Sequence, residues 1–190
     1  MTIKFKEQLK GKRILLRQTK PTLDTARRMF EQVEINRKHL APWLPWEKFT
    51  KKVEDSMKYL FDKEKETNEG KKIEYGIYVE GEYVGNISMF DINQTKKSGE
   101  IGYWISKEFA GKGYVTEAVK VLEAYFFRTI KLNRIQIKCD EKNTASKRVA
   151  EKAGYVFEGK RRQDSYCEYY KDFRNTLVFS KLKSEFKKQK

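Results

Sequence analysis

The hydrophobic residues between positions 22 and 61 recur every three or four residues, a spacing typical of helices with one buried face. One helix is predicted to begin after Pro21 and Thr22, and a second over residues 53–61. The stretch 39–46 between them contains two prolines, which break a helix, and the charged segment 62–72 is predicted to be a surface loop. The apolar stripes are Leu23, Ala26, Phe30 and Val33 in the first helix, and Val53, Met57 and Leu60 in the second.

From position 73 the period falls to two, which is typical of strands. Predicted strands cover residues 14–17, 73–79, 83–90, 100–106, 134–139, 155–162 and 173–182. A long amphipathic helix is predicted over residues 115–130, and a short one is capped by Asn143 or Thr144 and closed by Gly154. This order predicts a mixed α/β fold of the α+β class, with a mostly antiparallel sheet. We expect one domain over residues 1–182, followed by a basic tail over 183–190 that is frayed or in loose electrostatic contact.

The composition is that of a globular protein. Of 190 residues, 38% are hydrophobic and 14% aromatic, which is enough to build a core although 36% are charged. There is no run of about 18 apolar residues and no apolar segment at the polar N-terminus, so we expect neither a membrane span nor a secretory signal. Two cysteines, Cys139 and Cys167, make neither a disulfide framework nor a four-ligand zinc site. We therefore expect a cytoplasmic protein without a membrane partner.

The formal net charge is +15, from 42 basic and 27 acidic residues. Such a field attracts polyanions, which include nucleic acid, the ribosome surface and a phosphorylated cofactor. Because the basic residues are spread along the chain, a solvated surface without a specific partner is the alternative. The single histidine, His39, cannot build a multi-histidine metal site, and we expect it to be exposed or at a helix end.

One strand–turn–helix unit carries the clearest chemical signal. The strand at 100–106 is followed by A-G-K-G-Y at 110–114, and the long helix begins directly afterwards. Paired glycines allow a sharp turn, and the unpaired N–H groups of the helix start, together with its dipole, form an anion site that suits a pyrophosphate. The unit is neither a P-loop nor a dinucleotide fingerprint, since residue 116 is threonine. Taken alone, G-x-G is more typical of a plain tight turn, and the flanking strand and helix are what favour the anion site.

Five ordered segments resemble the GNAT acetyltransferase superfamily, in particular its RimJ/RimL-type branch, which acetylates the N-termini of ribosomal proteins. They are E-I-G-Y-W-I-S at 100–106, F-A-G-K-G-Y-V-T-E-A at 109–118, N-R-I-Q-I-K-C at 133–139, N-T-A-S-K-R-V at 143–149 and A-G-Y-V-F-E-G at 153–159. The resemblance implies the GNAT fold, with about seven strands and four helices and a sheet splayed at the acetyl-CoA site. It also implies that the acetyl group is transferred from acetyl-CoA to a primary amine, without a metal. The favoured acceptor is the α-amine of a protein N-terminus.

The resemblance places the cofactor on the glycine turn. The family's pyrophosphate motif maps onto residues 108–113, where Glu108 and Ala110 replace residues with side-chain donors, so backbone groups would hold the phosphates. The pantetheine arm would add to the preceding strand, and Asn143 and Ser146 would lie beside it. For Asn143, a helix cap is the alternative or an additional role. The implied cofactor residues are Tyr103, Trp104, Ile105, Ser106, Phe109, Ala110, Gly111, Lys112, Gly113, Tyr114, Val115, Thr116, Asn143 and Ser146.

The general base is less clear from the resemblance. The branch places a carboxylate shortly after the Glu158-Gly159 pair; counting from Gly159 reaches Ser165, whereas counting back from Tyr170 reaches Asp164. We favour Asp164 and take Glu100 as second candidate. Asp164 could also be only a turn residue or an ion-pair partner of Arg161. Ser146 would assist the departing thiolate.

Aromatic residues are the candidates for holding the acceptor. Trp43 and Trp46, next to two prolines, would form a wall opposite Tyr166 and Tyr170, unless they only pack a corner of the core. Cys167 is not expected to be a nucleophile because direct transfer has no covalent step, and Cys139 is expected in the core. The expected partner is a ribosomal protein, with weak contact to ribosomal RNA, and the expected state is a monomer or homodimer. The alternatives are acetylation of an aminoglycoside or polyamine, and a non-catalytic domain that binds coenzyme A or RNA.

Overall fold

The computed structural model describes residues 3–188, which form eight strands and five α-helices. The predicted mixed fold is confirmed, with one strand and one helix more than expected. The strands are β1 (Gln8–Lys10), β2 (Ile14–Gln18), β3 (Ile73–Val79), β4 (Glu82–Asn93), β5 (Ser98–Ile105), β6 (Arg134–Asp140), β7 (Val156–Cys167) and β8 (Asp172–Leu182). The helices are α1 (Leu23–Leu40), α2 (Val53–Asn68), α3 (Tyr114–Tyr125), α4 (Thr144–Lys152) and α5 (Lys183–Lys188).

All strands belong to one sheet, in the order β1-β2-β3-β4-β5-β6-β8-β7. Every neighbouring pair is antiparallel except β5 and β6, which are parallel and connected through α3. The sheet separates two apolar clusters. The larger cluster packs α3 and α4 against one face, and the smaller packs α1 and α2 against the other face, where Tyr83 and Trp104 belong to it.

Helix α1 begins as predicted, because the Thr22 hydroxyl accepts a hydrogen bond from the N–H of Thr25. Its apolar stripe is shifted from the prediction. Leu23 lies in the first turn, ahead of the packed region, and is 52% exposed, whereas Met29 is buried.

Helix α2 continues to Asn68, so the prediction of a loop over 62–72 was wrong for its first seven residues. The charges in this segment were interpreted as a sign of solvent exposure. Lys63 is nevertheless buried, because its ammonium donates a hydrogen bond to the carbonyl oxygen of Thr19 at 2.6 Å. An internal partner for one charge was enough to keep this turn helical and packed.

Two further boundaries differ from the predictions. The long helix ends at Tyr125 and continues as a π-helical turn over Phe126–Ile130, which buries both phenylalanines of that turn. The predicted tail is in part the helix α5, in which the Phe186 ring packs against Phe127 with ring centroids 5.1 Å apart. Residues 189 and 190 of the predicted tail lie outside the described residues. None of the helices within residues 3–188 is long and apolar enough to cross a membrane.

Candidate active site

The candidate site lies where β5 and β6 separate. Residues 98–101 of β5 pair with residues 134–137 of β6, but β5 continues to Ile105 and β6 continues to Asp140 without further pairing between them. A cavity of about 890 Å³ opens at this point, and we call it the main cavity. The splayed sheet that the resemblance implied is therefore present.

The free edge of β5 borders the main cavity. Tyr103, Trp104 and Ile105 line it, while the other edge of the strand is hydrogen-bonded to β4. Ser106 is buried just beyond the strand, and its N–H donates to the carbonyl of Val84 at 2.8 Å. An extended molecule that carries amide groups can add to this edge like a further strand.

The glycine turn closes one end of the main cavity. Gly111 and Gly113 have φ angles of +78° and +85°, left-handed values that glycine adopts without a steric penalty. Gly113 is the N-cap of α3, and no side chain caps the first N–H groups of this helix. These donors and the helix dipole suit an anion such as a diphosphate. The predicted cofactor residues that line the cavity here are Phe109, Ala110, Gly111, Gly113, Tyr114, Val115 and Thr116.

A residue that the sequence did not single out braces this turn. Arg13, next to the start of β2, donates from its backbone N–H and its Nε to the carboxylate of Glu117 (2.7 and 2.9 Å) and from Nη1 to the carbonyl of Lys112 (3.2 Å). Burial would raise the pKa of Glu117, but the hydrogen bonds from Arg13 outweigh it, so this pKa lies below its usual value. The Lys112 ammonium lies over the Phe109 ring, 5.1 Å from its centroid.

Helix α4 supplies the opposite wall. Asn143 is the N-cap of the helix, and its Oδ1 accepts the N–H of Ser146 at 3.0 Å. The cap role is therefore real, and Asn143 also lines the main cavity. The Ser146 hydroxyl lies 2.9 Å from the hydroxyl of Tyr103, which joins α4 to β5 across the gap. Burial raises the pKa of Tyr103 far above the usual value for tyrosine, so this phenol keeps its proton at neutral pH.

The two cysteines both line the main cavity but differ in setting. Cys139 lies on β6 and is buried, and burial raises the pKa of its thiol to about 11. It is therefore protonated at neutral pH and has little nucleophilic character. The Sγ of Cys167 lies 3.8 Å from the carbonyl oxygen of Pro42.

The two candidate bases lie in different places. Asp164 lines the main cavity, beside a bulge in β7 where Gln163 has a φ of +50°, and its Oδ1 lies 3.6 Å from Nη1 of Arg161. Glu100 is buried outside the cavity lining, and its Oε2 contacts Lys138 at 2.7 Å and Gln136 at 2.9 Å. Only Asp164 therefore shares a cavity with Ser146.

The four predicted acceptor residues divide in the same way. Trp43 and Tyr166 line the main cavity. Trp46 instead packs near Trp104, with ring centroids 6.2 Å apart, and lines a second cavity. Tyr170 lies under the guanidinium of Arg174, 4.6 Å from the ring centroid, and is outside the lining. The four residues therefore do not form one wall: two line the main cavity, one lines the second cavity and Tyr170 lines neither.

Arg174 is the second residue that the sequence did not single out. It lines the main cavity and is only 3% exposed. Its Nη2 donates to Oδ1 of Asp140 at 2.7 Å, whereas its Nη1 is buried without a hydrogen-bond partner. No sequence motif surrounds it, and only the fold brings β8 to this position. A buried cation with an unused donor is stabilised by an oxygen acceptor that comes within hydrogen-bond distance.

His39 lies at the end of α1, as one of the two expectations stated, and lines the main cavity. Burial lowers the pKa of its imidazole, and the nearby charge of Lys107 lowers it further against a hydrogen bond with the Ile105 backbone. Within residues 3–188, no group of three or more histidine, cysteine or acidic side chains lies close enough to hold a metal ion.

Comparisons with known proteins agree with this geometry. The sequence model of the acetyltransferase (GNAT) domain matches residues 13–156. The chain is 37% identical over 118 residues to Bacillus subtilis (strain 168) YdaF, described as a candidate ribosomal N-acetyltransferase, covering 62% of this chain and 63% of that protein. The alignment thus spans less than two thirds of that relative. The chain is 28% identical over 158 residues to the ribosomal-protein-serine acetyltransferase of Escherichia coli (strain K12), covering 83% of this chain and 84% of that protein.

A solved structure shows the same fold. The structure of RimL, a ribosomal L7/L12 alpha-N-protein acetyltransferase in complex with coenzyme A, superposes with a TM-score of 0.87 at 23% identity. The superposition covers 93% of this chain and 98% of that one. At this identity the likeness concerns the fold. The uncapped N–H groups of α3, the left-handed glycines and the free edge of β5 are a fit for the diphosphate and amides of coenzyme A.

Proposed function

This chain belongs to the GNAT acetyltransferase family, whose members use acetyl-CoA, and we propose that it transfers acetyl directly to the α-amine of a protein N-terminus, most of all of a ribosomal protein. The ribosomal acceptor is supported by the names of the Bacillus subtilis and Escherichia coli relatives. Contact with ribosomal RNA, a monomeric or dimeric state and a cytoplasmic location stay predictions.

In this proposal, backbone groups bind the cofactor. The first N–H groups of α3 hold the diphosphate, and the turn that presents them is fixed by Arg13. The free edge of β5 bonds the pantetheine amides, and Asn143 bonds them from α4. Acetyl-CoA supplies the activated thioester, and the N–H of Ile105 polarises its carbonyl.

The chemistry needs a neutral amine and a stabilised leaving group. An α-amine has a pKa of about 7.7–8.0 against about 10.4 for lysine, so a single carboxylate suffices to take its proton. We assign that role to Asp164, directly or through a water. As the C–N bond forms and the C–S bond breaks, the Ser146 hydroxyl, hydrogen-bonded to Tyr103, stabilises the departing thiolate.

The observation that favours a peptide over a small polyamine is the unused Nη1 donor of Arg174 in the main cavity. A peptide offers this cation a carbonyl oxygen on the carbon next to the Cα that carries its α-amine. A polyamine offers only ammonium groups, which Arg174 repels. The donor is buried, so the absence of an acceptor has an energetic cost that a bound peptide carbonyl would remove.

Replacing Arg174 with lysine tests this assignment. We expect Arg174→Lys to raise the KM for an N-terminal peptide about tenfold, because lysine keeps the charge but cannot bond Asp140 and a carbonyl together in the same geometry. The KM for acetyl-CoA should stay unchanged. The measurement is release of free thiol with peptides, spermidine and an aminoglycoside as acceptors. Faster turnover of spermidine or the aminoglycoside than of every peptide would overturn the proposal.

A further inference from the structure

A second cavity of about 690 Å³ lies between the sheet and the helices α1 and α2, and we call it the side chamber. Its floor is formed by β3, β4 and β5, and its roof by α2 and the segment 44–50. Leu44, Gly102, Tyr103 and Trp104 line both cavities, so the side chamber adjoins the main cavity at β5. None of the roles assigned above uses its inner end.

A row of three residues leads across its floor. Glu74 of β3 is opposite Ser88 of β4, and Ser88 is opposite Gly102 of β5, so all three lie on one face of the sheet. Adjacent strands are about 4.8 Å apart, which places Glu74 roughly 10 Å from Gly102. Gly102 has no side chain and Ser88 a short one, and the Phe90 ring lies beside Gly102, 3.0 Å from where a Cβ would stand. We call this row the trough; Phe90 and Trp104 are among the aromatic residues that line the chamber.

The inner end of the trough is rich in oxygen. The Glu74 carboxylate is 5% exposed and accepts hydrogen bonds from Tyr59 (2.6 Å), Asn86 (3.0 Å) and Thr19 (3.3 Å). Lys63 lies behind it, with its Nζ 4.0 Å from the carboxylate.

A second, independent feature marks this end as a binding site. Ser56 of α2 lines the chamber and is 2% exposed, yet its hydroxyl has no hydrogen-bond partner. A buried polar group without a partner is costly, and a bound ligand would remove that cost. With the spare lone pairs of Glu74, the groups at this end suit a ligand that donates hydrogen bonds.

The chamber carries acidic groups that a cation can meet. Its lining includes three carboxylates, of Asp55, Asp62 and Glu74, and two ammonium groups, of Lys58 and Lys72; a third ammonium, of Lys63, lies behind Glu74. In a chain with a net charge of +15, this lining differs from the rest of the surface. A cationic group can therefore enter here although the protein as a whole repels it.

We propose that the side chamber binds an ammonium or guanidinium group on an unbranched aliphatic stem, which the acceptor extends from the amine that becomes acetylated. The stem lies along the aromatic residues of the trough, and the cationic head meets Glu74 and Ser56. The inference rests on the proposed function, in which this group is a lysine or arginine side chain at the start of the acceptor protein. A polyamine carries the same chemistry on a single chain.

The test compares two acceptor peptides that differ only in the head group. One begins with lysine and the other with norleucine, which keeps the stem and lacks the ammonium; spermidine is the third acceptor. We expect the wild-type protein to acetylate the α-amine of the lysine peptide with a kcat/KM about tenfold higher than that of the norleucine peptide, as for one charged hydrogen bond. Binding of the same three compounds to the protein loaded with coenzyme A is measured by calorimetry.

Two variants and one control locate the effect. Ser88→Leu fills the trough, and Ser56→Ala removes the unpartnered hydroxyl; both should abolish most of the tenfold preference while leaving the KM for acetyl-CoA unchanged. Ser88→Leu should also lower kcat/KM for the norleucine peptide, because its aliphatic stem lies in the same trough. Ser98→Ala is the matched control, because Ser98 lies on β5 outside the lining of both cavities. Thermal melting confirms that each variant is folded.

The outcomes separate the two proposals. Equal kcat/KM values for lysine and norleucine peptides in the wild type, or a preference that survives Ser88→Leu, would overturn the side-chamber proposal and leave the peptide acceptor intact. Acetylation of spermidine but of no peptide, with the same dependence on Ser88, would support the chamber and overturn the N-terminal acceptor. Absence of binding by all three compounds would overturn both.

Discussion

The two sides of the main cavity are built from different material. On the cofactor side, the backbone of β5 and the glycine turn point donors at the gap, and no side chain caps the start of α3. On the acceptor side, side chains line the cavity instead: Trp43 follows α1, Tyr166 lies near the end of β7, and Arg174 lies near the start of β8. Tyr166 is half exposed, and β7 is interrupted by a bulge next to Asp164.

This difference separates what a whole family shares from what one member selects. A backbone site depends on glycine, on a strand edge and on a helix start, and it tolerates changes in side chains. A side-chain site changes with each substitution. We therefore expect changes in backbone conformation to weaken cofactor binding, and the loss of individual side-chain groups to weaken acceptor binding or turnover.

The largest expected effect is on the acceptor side. Asp164→Asn should lower turnover about 100-fold, because the amide cannot take the proton of the attacking amine. The measurement is kcat with an N-terminal peptide between pH 6 and 9. The matched control is Ser165→Ala, which changes the other residue that motif counting reached.

Turnover of Asp164→Asn that equals the wild type across this pH range would refute the assignment. The proton would then pass to water or to Glu100, whose pairing with Lys138 keeps it outside the cavity lining. A full loss in Ser165→Ala would move the role by one residue along β7.

An intermediate effect is expected on the cofactor side. Gly111→Ala places a Cβ at a φ of +78°, which costs about 1–2 kcal/mol, although that Cβ would meet no other atom within 4 Å. If the turn relaxes to relieve this strain, its donors leave the diphosphate, and the KM for acetyl-CoA should rise about tenfold. Steady-state kinetics with varied acetyl-CoA measure it.

The chain offers a closely matched control in Gly81, at the β3–β4 turn. It has a φ of +87° and equally open surroundings. Gly81→Ala should lower stability by a similar amount and leave the KM for acetyl-CoA unchanged. Equal KM values in both variants would mean that the conformation at residue 111 is not what presents the donors.

The smallest expected effect concerns the ion pair between Glu158 of β7 and Arg134 of β6. Hydrogen bonds from Arg134, and to a lesser extent from Ser180, lower the pKa of Glu158 from its usual value to about 2. Because the carboxylate binds fewer protons in the folded state, it contributes stability above its unfolded pKa of about 4.3, and this contribution is lost as the pH falls towards 2. The pair is partly exposed, so we expect less than about 1 kcal/mol.

Urea unfolding of the wild type and Glu158→Gln at several pH values checks this contribution. The difference in the free energy of unfolding should be present at pH 6 and shrink steadily below about pH 4. A difference that does not depend on pH would show that the charge of Glu158 is not the source of its contribution to stability.

The sequence predicted the parts of the fold in which hydrophobic spacing and burial coincide. Residues 73–79 alternate along β3, and Val115, Ala118 and Leu122 form the buried stripe of α3. The end of α2 was mispredicted because Lys63 looks solvent-exposed until the position of Thr19 is known. The three-residue strand β1 and the helix α5 are too short for periodicity to register.

The candidate site likewise contains residues that local motifs predict and residues that only the fold brings together. The glycine turn, Asn143 and Ser146 follow one another in local motifs, so sequence alone could assign them. Arg13 could not be assigned because its partner Lys112 lies more than 90 residues away along the chain. Arg174 could not be assigned because its relevant feature is a buried Nη1 without a hydrogen-bond partner. Neither feature has a local sequence signature. Trp46 was placed with Trp43 by proximity in sequence, whereas the turn between them directs the two rings into separate cavities.

The brief pairing of β5 with β6 has a mechanical consequence. Only four residue pairs form the parallel ladder between these strands, so few hydrogen bonds connect the part of the sheet that contains β1–β5 to the part that contains β6–β8. A cofactor that is hydrogen-bonded to residues on both sides of the opening connects these two parts of the sheet. When the cofactor leaves after each turnover, the pairing of β5 with β6 becomes less stable. Amide protons beside Ile101 and Ile137 should therefore exchange with solvent faster in the empty enzyme than in the enzyme with bound cofactor.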